Sequence, residues 1–173
     1  MYLETARMII RDFVPEDAAD LQDIFGDPVT MEQCEPAYDF EKTKKFLESF
    51  CIGRNGAVAA VDKQSGKVIG YILFNALSEE VYEMGWFYNR NYWRQGYAYE
   101  SCKAVIDDAF AQRNVHKIFA ETIDAEKSVG MMKKLGMQFE GIQRSQSRDN
   151  HGNWADIYLY GMLRKDWENK QNQ

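Results

Sequence analysis

The sequence predicts a single α+β domain. Strand-like and helix-like segments follow one another in the order β-α-α-β-β-β-α-β-α-β-β, with no repeat, low-complexity stretch or linker between them. The first half contains a β-hairpin signal, and the second half contains a strand–helix–strand crossover whose strands run parallel if it is right-handed. At 173 residues the chain can bury a substantial core without disulfides. We therefore expect one domain over residues 1–173, with a core at about 5–167 and a frayed polar tail at 168–173.

Local signals predict five regular elements in the first half. They are a strand at residues 7–13, helices at 15–25 and 40–50, and strands at 57–61 and 68–76. Pro15 suits the first turn of its helix, and Asp39 is a candidate N-cap for the next one. The two strands flank a polar, glycine-containing segment at 62–67, which predicts the hairpin. Residues 26–38, between the helices, predict a loop.

Six elements are predicted in the second half. They are strands at residues 81–88, 117–122, 139–148 and 154–163, a long helix from residue 98, and a short helix at 128–135. The long helix has one apolar face, made by Ala98, Cys102, Val105, Ile106, Ala109 and Phe110. Gly136 stops the short helix, and the turn-forming residues 149–153 separate the last two strands.

The most informative segment is the turn W-R-Q-G-Y-A-Y-E at residues 93–100, which joins the strand at 81–88 to the long helix. Gly96 lets a ligand approach the backbone closely, and Ala98 adds almost no bulk. The N-terminus of the helix offers free amides and the positive end of a dipole, which attract phosphate. Arg94 and Gln95 add a cation and amide donors there. A tight turn also needs small residues without any ligand, so the turn alone leaves both interpretations open.

Together with three other segments, this turn resembles the motifs of the GNAT superfamily of N-acetyltransferases. The turn resembles the acetyl-CoA pyrophosphate loop, most of all in the Rim-type branch that acetylates ribosomal-protein N-termini, where W-G-K-G-Y-A-T-E-A is a usual form. The other segments resemble the family's opening strand, its N-x-x-S … E-K-x-G-F segment and its closing G-x-x-x-D … Y-x-x-L strand. They are R-M-I-I-R at 7–11, D-A-E-K-S at 124–128 with K-K-L-G-M at 133–137, and G-N-W-A-D at 152–156 with Y-L-Y-G-M-L at 158–163.

This resemblance implies an acetyl-CoA-dependent N-acetyltransferase that requires no metal. It also implies a mixed, mostly antiparallel central sheet flanked by helices, in which the two parallel strands splay apart and admit the pantetheine arm. The acetyl group would pass directly to a primary amine. The favoured acceptor is a protein or peptide N-terminus. The alternatives are a small-molecule amine (polyamine, amino sugar or drug) and a non-catalytic CoA-binding regulatory module, and a homodimer is left open.

The resemblance also implies which residues bind acetyl-CoA. Backbone groups of the strand at 83–88 would pair with the pantetheine amides, and one N–H there would polarise the thioester carbonyl. Gly85 in this strand is a candidate bulge that ends strand pairing. The predicted cofactor-binding residues are Trp86, Phe87, Tyr88, Arg94, Gln95, Gly96, Tyr97, Ala98, Tyr99 and Ser128.

Glu83 and Ser128 are the predicted catalytic residues. Glu83 is a carboxylate on an otherwise apolar strand, so it is either a general base with a pKa raised by burial or a solvent-facing or ion-paired residue. In the resembling branch a serine at the position of Ser128 lies near the thioester sulfur and would hydrogen-bond the departing thiolate, and it also suits the first turn of a helix. Ala125 replaces a usual asparagine, and Met132 stands where many members have a proton-donating tyrosine, so a tyrosine acid there is excluded.

The composition and the net charge limit which partners the protein can bind. The net charge of −6 argues against non-specific nucleic-acid binding and suits a cationic substrate. Asp27, Glu32 and Glu35 in the first loop are either solvated or line the amine entrance, which in the resembling family lies beside this region. The three cysteines form neither a disulfide framework nor a metal-ligand pattern. No signal-peptide pattern or apolar run of ~20 residues is present, so we expect a cytoplasmic protein without a membrane partner.

Overall fold

In the computed structural model, residues 1–171 form one eight-stranded sheet and five α-helices. The strands are β1 (Tyr2–Glu4), β2 (Met8–Asp12), β3 (Ala57–Asp62), β4 (Val68–Ala76), β5 (Val81–Tyr88), β6 (Lys117–Thr122), β7 (Gln138–Arg148) and β8 (Trp154–Leu163). The helices are α1 (Ala18–Phe25), α2 (Phe40–Phe46), α3 (Tyr97–Gln112), α4 (Lys127–Leu135) and α5 (Arg164–Gln171). A 3₁₀ turn, Pro15–Asp17, leads into α1, and a π-helical turn, Leu47–Ile52, continues α2.

The sheet has the strand order β1-β2-β3-β4-β5-β6-β8-β7, and every neighbouring pair is antiparallel except β5 and β6. This confirms the predicted α+β class with a mixed, mostly antiparallel sheet. The parallel pair is short, because only residues 81–83 of β5 pair with residues 117–119 of β6. β5 nevertheless stays paired with β4 as far as Tyr88. A gap therefore opens between β5 and β6 beyond Glu83.

Helices cover both faces of the sheet. α3, α4 and the Trp167 side chain of α5 pack on one face, where α3 buries Ser101, Cys102, Val105, Ile106, Ala109 and Phe110. On the other face, α1 and α2 build an aromatic cluster around Phe25, whose ring contacts those of Tyr38, Phe46, Tyr71 and Phe87. Side chains alternate along β5, so Met84 belongs to the α3 core while Phe87 packs against the α1–α2 core. Glu83 consequently lies on the same face as Phe87.

Both ends of the chain contain regular structure that the sequence did not predict. Strand β1 was not predicted, because three residues carry too short a pattern. The tail was predicted to fray from residue 168, but α5 continues to Gln171, and residues 172–173 lie outside the described chain. Arg164 anchors this helix, because its guanidinium donates to the carbonyl oxygens of Phe110, Arg113 and Val115 near the end of α3.

Gly85 does not mark a bulge. The register between β4 and β5 runs without interruption from the Gly70–Tyr88 pair to the Ala76–Tyr82 pair. The parallel pairing with β6 ends although β5 itself stays regular, so the divergence of the two strands opens the gap. Among residues 1–171, no helix is both long and apolar enough to span a membrane.

Candidate active site

The turn between β5 and α3 has two residues in the left-handed region. Arg94 has a φ of 58° and Gly96 a φ of 84°. Gly96 immediately precedes the first helical residue, and no side chain caps this end of α3. Since first-turn amides have no acceptor within a helix, the N–H groups of Tyr97, Ala98 and Tyr99 are available to an outside acceptor. This is the position at which the sequence predicts a phosphate site.

Several side chains of this turn contact other groups of the protein, unlike the first backbone N–H groups of α3. The Gln95 side chain was expected to add amide donors to the phosphate site, but its Nε2 donates to the Asn91 carbonyl oxygen at 2.9 Å. Arg94 and Gly96 are exposed. The Tyr97 and Tyr99 rings are each covered by a cation, namely the guanidinium of Arg7 at 4.0 Å and the ammonium of Lys134 at 4.5 Å from the ring centroids. The parts of the turn that the protein leaves for an outside anion are therefore its backbone and the exposed Arg94.

Backbone groups of β5 face the gap at alternate residues. The Asn89 N–H donates to the Ile69 carbonyl oxygen at 2.9 Å, which assigns the polar groups of residue 87 to the β4 side. By alternation, those of Met84, Trp86 and Tyr88 point to the β6 side, where pairing stops after the Met84 N–H, the last group in the Glu83–Phe119 pair. The Tyr88 carbonyl accepts from the Trp93 indole at 2.7 Å. Phe87, which was predicted among the cofactor-binding residues, offers no backbone group to the gap.

Glu83 lies where the two strands diverge. It is the last residue of β5 that pairs with β6, opposite Phe119, and its side chain is partly buried. Burial raises the pKa of Glu83, and the nearby carboxylate of Glu121 raises it further. Among residues 1–171, no ion pair involves Glu83, which leaves a general base and a solvent-facing strand residue as the two interpretations. Glu121 on β6 carried no sequence signal, because a carboxylate near a strand end is usually solvated.

Ser128 lies in the first turn of α4, where it contacts Asp124. Its hydroxyl donates to Asp124 Oδ2 at 3.3 Å, and its amide donates to the same oxygen at 3.1 Å. Asp124 also accepts from the amides of Glu126 and Lys127, at 3.0 and 3.1 Å. Although burial opposes ionisation, these donors hold the pKa of Asp124 below its ordinary value. Asp124 was missed as a capping residue, although an aspartate followed by helix-forming residues is a recognisable signal.

The three carboxylates predicted for the amine entrance have different environments. Asp27 lies 3.4 Å from the Arg90 guanidinium and accepts from Thr30 at 2.8 Å. Glu35 accepts from the Tyr38 hydroxyl at 2.8 Å and from Lys42 at 3.0 Å. Glu32 is exposed. Asp27 and Glu35 are thus already neutralised by neighbouring groups.

The loop that carries these carboxylates contacts two other turns of the protein. The Asn150 side chain, in the β7–β8 turn, donates to the Met31 carbonyl oxygen at 2.9 Å. At the other end of the loop, Asp27 is paired with Arg90 of the β5–α3 turn. The loop is therefore tied to both neighbouring turns, on the face where Tyr38 packs against Phe25. Among the first 171 residues, no group of three or more histidine, cysteine or acidic side chains is placed to hold a metal ion.

Comparison with known proteins identifies the family. The family described as acetyltransferase (GNAT) domain matches residues 7–138. The uncharacterised N-acetyltransferase YnaD of Bacillus subtilis (strain 168) is 30% identical over 172 residues, which cover 96% of this chain and 99% of YnaD. A GNAT-family acetyltransferase from Bacillus anthracis has a similar structure, with a TM-score of 0.85 and 25% identity over 95% of this chain and 99% of that one.

Two further structures share the fold. RimL, a ribosomal L7/L12 alpha-N-protein acetyltransferase solved with CoA, has a TM-score of 0.82 at 14% identity, covering 94% of this chain and 98% of its own. Spermidine N-acetyltransferase of Vibrio cholerae, solved with CoA and spermine, has a TM-score of 0.81 at 17% identity, covering 95% and 99%. At these identities the likeness concerns the fold alone. The family match and the full-length relative decide the assignment: this chain belongs to the GNAT family and is an N-acetyltransferase.

Proposed function

We propose that this enzyme transfers the acetyl group of acetyl-CoA directly to the α-amino group of a protein or peptide N-terminus. One observation carries the proposal: the parallel pairing of β5 and β6 stops at Glu83, and β5 then leads to the uncapped N-terminus of α3. Five residues of extended strand separate Glu83 from Tyr88, which is about 17 Å. An anion bound at α3 and a reacting group beside Glu83 are therefore joined by a gap suited to an extended arm.

Each part of this gap has a separate task. The backbone at Gly96 and the first amides of α3, together with Arg94, would hold the pyrophosphate. The Trp86 carbonyl and the Tyr88 N–H would pair with the pantetheine arm. The N–H of Trp86, the first on β5 that faces the gap beyond the last pair with β6, would donate to the thioester carbonyl oxygen and stabilise the negative charge that develops there. Acetyl-CoA supplies the activated acyl group, and the transfer forms one N–C bond while the C–S bond breaks.

Glu83 would take the proton that the amine loses, directly or through water. A carboxylate with a raised pKa is a better base than an ordinary one, and its partly buried position faces the acceptor side of the sheet. The proton cost depends on the acceptor. An α-amine of pKa near 7.7 costs only about 1 kcal/mol to deprotonate at pH 7, against about 4.6 kcal/mol for a lysine-like amine. Ser128 would leave Asp124 and donate to the departing thiolate.

The entrance favours an acceptor with a single charge. A polyamine has several ammonium groups, which need several unpaired carboxylates along the path. Here Asp27 is engaged by Arg90, and Glu35 by Lys42, so two of the three predicted entrance carboxylates are already neutralised. The contact from Asn150 to Met31 ties this loop to the β7–β8 turn, and a slender chain end needs less room beside such a loop than a side chain on a folded surface. A small-molecule amine remains the second candidate.

A panel of acceptors tests the proposal. We expect the largest kcat/KM with peptides that have a free N-terminus and none with the same peptides after N-acetylation. Glu83→Gln should lower kcat/KM modestly for a peptide and far more for spermidine, because nearly all spermidine is protonated near neutral pH. Glu79→Gln, in the exposed β4–β5 turn, removes the same charge elsewhere and serves as the matched control.

Two outcomes would contradict the proposal at different levels. Faster turnover of spermidine or an aminoglycoside than of any peptide would contradict the acceptor. Absence of thioester cleavage with every amine would contradict the transfer itself. A wild-type pH profile in Glu83→Gln with both acceptors would make Glu83 structural and move the base to ordered water.

A further inference from the structure

Arg7 connects the β1–β2 turn to the β5–α3 turn, which is about ninety residues away in sequence. Its Nε donates to Glu100 Oε2 at 2.7 Å, and its backbone N–H donates to Glu100 Oε1 at 2.9 Å. Its Nη1 donates to the Gln95 carbonyl oxygen at 2.8 Å. One arginine thus binds both the loop that begins α3 and the first turn of the helix.

The same guanidinium packs tightly beside the turn. It lies 4.0 Å from the centroid of the Tyr97 ring. Its Nη2 lies 3.4 Å from the position that a Cβ on Gly96 would occupy. The partner carboxylate, Glu100, is partly buried, and although burial opposes its ionisation, donors from Thr5 and Arg7 keep its pKa below the ordinary value. The pair is therefore charged at neutral pH.

The bond to the Gln95 carbonyl determines where the next amide points. In a trans peptide the C=O and N–H groups point in opposite directions, and every peptide bond described here is trans. Because the Gln95 oxygen is held toward Arg7, the Gly96 N–H is held away from it, toward the open side of the turn. Without Arg7, this peptide plane, which directly precedes the left-handed Gly96, could turn its oxygen toward the position of the anion.

We infer that Arg7 is a positioning residue for the pyrophosphate of acetyl-CoA. It acts through the turn, by holding the Gln95–Gly96 peptide and the first turn of α3 in the orientation that presents N–H groups to the anion. The phosphates themselves would lie on the other side of this peptide plane. The inference rests on acetyl-CoA as the acyl donor in the proposed function and extends it to a residue outside the strand–turn–helix unit.

The test compares two donors. S-Acetylpantetheine carries the same thioester and arm as acetyl-CoA but lacks the pyrophosphate and the nucleotide. Arg7→Met keeps an apolar stem beside Tyr97 and removes the guanidinium. It should raise KM for acetyl-CoA by about 10- to 100-fold, the size expected for lost charged hydrogen bonds, with little change in kcat. Its kcat/KM with S-acetylpantetheine should stay at the wild-type value. Arg7→Lys should resemble Arg7→Met, because an ammonium cannot bind Glu100 and Gln95 together.

Arg11→Met is the matched control. Arg11 lies on β2 and binds Asp17 through Nη1 and Nη2, both at 2.8 Å, away from the turn. Its loss should leave the ratio of the two donors unchanged. If Arg7→Met does not fold, as judged by circular dichroism, Glu100→Gln replaces it, since this variant removes the charge and one of the two oxygens that accept from Arg7 but keeps the other. We expect KM for acetyl-CoA to rise in this variant as well, by a smaller factor, and kcat/KM with S-acetylpantetheine to stay unchanged.

Two results would overturn the inference. One is an unchanged KM for acetyl-CoA in a folded variant. The other is an equal loss of kcat/KM with acetyl-CoA and with S-acetylpantetheine, which would mean that Arg7 only holds the β1–β2 turn against the rest of the domain. Failure of the proposed function would instead appear in the wild-type enzyme, as no turnover with any amine. In that case calorimetric binding of CoA and of pantetheine by the wild-type protein and Arg7→Met still decides the role of Arg7.

Discussion

Two strand–helix units of this enzyme start from parallel neighbouring strands and end differently. β5 leads into α3 and β6 leads into α4, so both helix N-termini lie at the same edge of the sheet. At α4 the carboxylate of Asp124 accepts hydrogen bonds from three successive amides. At α3 no side chain caps the helix, and Gly96 provides a left-handed turn instead. The amides at the start of α4 are thus bound by the chain's own carboxylate, whereas those at the start of α3 stay open, as the proposed function requires.

The carboxylates of the two units are also tuned in opposite directions. Glu83 on β5 has a pKa raised by burial and by the nearby charge of Glu121 on β6. Asp124, at the end of the β6 unit, has a pKa held low by amide donors despite burial. A carboxylate that gives up its proton easily suits a cap, whereas one that holds its proton more tightly is a stronger base when ionised. The two opposite shifts match the roles proposed for these residues, a base for Glu83 and a helix cap for Asp124.

The largest effect is expected from a negatively charged side chain at the uncapped N-terminus of α3. Gly96→Asp places a Cβ at a φ of 84° and a negative charge beside the position of the pyrophosphate. We expect the dissociation constant for acetyl-CoA to rise by more than about 100-fold, measured by calorimetry. Gly66→Asp is the matched control, because Gly66 has a φ of 72° and open space around it in the β3–β4 hairpin. Equal affinities in folded Gly96→Asp and wild type would disprove the site.

A smaller effect is expected at the first turn of α4. If Ser128 donates to the departing thiolate, Ser128→Ala should lower kcat by up to about 100-fold while changing KM for acetyl-CoA less. The hydroxyl is bound to Asp124 only at 3.3 Å, so it can leave at small cost. Steady-state kinetics with varied acetyl-CoA measure the split. A wild-type kcat would reduce Ser128 to a residue of the helix cap.

Removing the cap of α4 should change stability. Asp124→Ala leaves three amides without their acceptor and should lower the free energy of unfolding by about 1–2 kcal/mol, measured by urea denaturation. Asp39→Ala is the comparison, because Asp39 caps α2 through a single amide, that of Lys42 at 2.8 Å. We expect the smaller loss there. Equal losses would mean that the additional amides of α4 find water as readily as those of α2.

The smallest effect concerns the pH dependence of catalysis. Glu121→Gln removes the like charge that helps to raise the pKa of Glu83, so this pKa should fall. The base then stays ionised to lower pH, and the acid limb of kcat/KM should move to lower pH. Glu79→Gln, in the exposed β4–β5 turn, should leave the profile in place. A limb that moves equally in both variants would reflect total charge and not the Glu83–Glu121 interaction.

The predictions that hold rest on patterns within a few residues, whereas the features that were missed depend on contacts formed in the folded chain. Strand β6 and the boundaries of β4, β5 and β8 match their predicted ranges, because their patterns lie within a few residues. Asp39 caps α2 as expected. By contrast, the engagement of Gln95 by Asn91, the β4-facing backbone of Phe87 and the pairing of Asp27 with Arg90 were not predicted. Each depends on which direction a group points after folding, and residue type does not record that.

The sequence by itself determined the class of the domain, the strand–turn–helix unit at Gly96 and the family, because periodicity, turn residues and motif order are all written along the chain. Only the tertiary structure decided where β5 and β6 part, which helix end stays open and which carboxylates remain unpaired. These depend on register and on contacts such as that of Arg7 with Glu100, between residues far apart in sequence. Such contacts form only when the whole sheet brings their partners together, and therefore no local pattern could specify them.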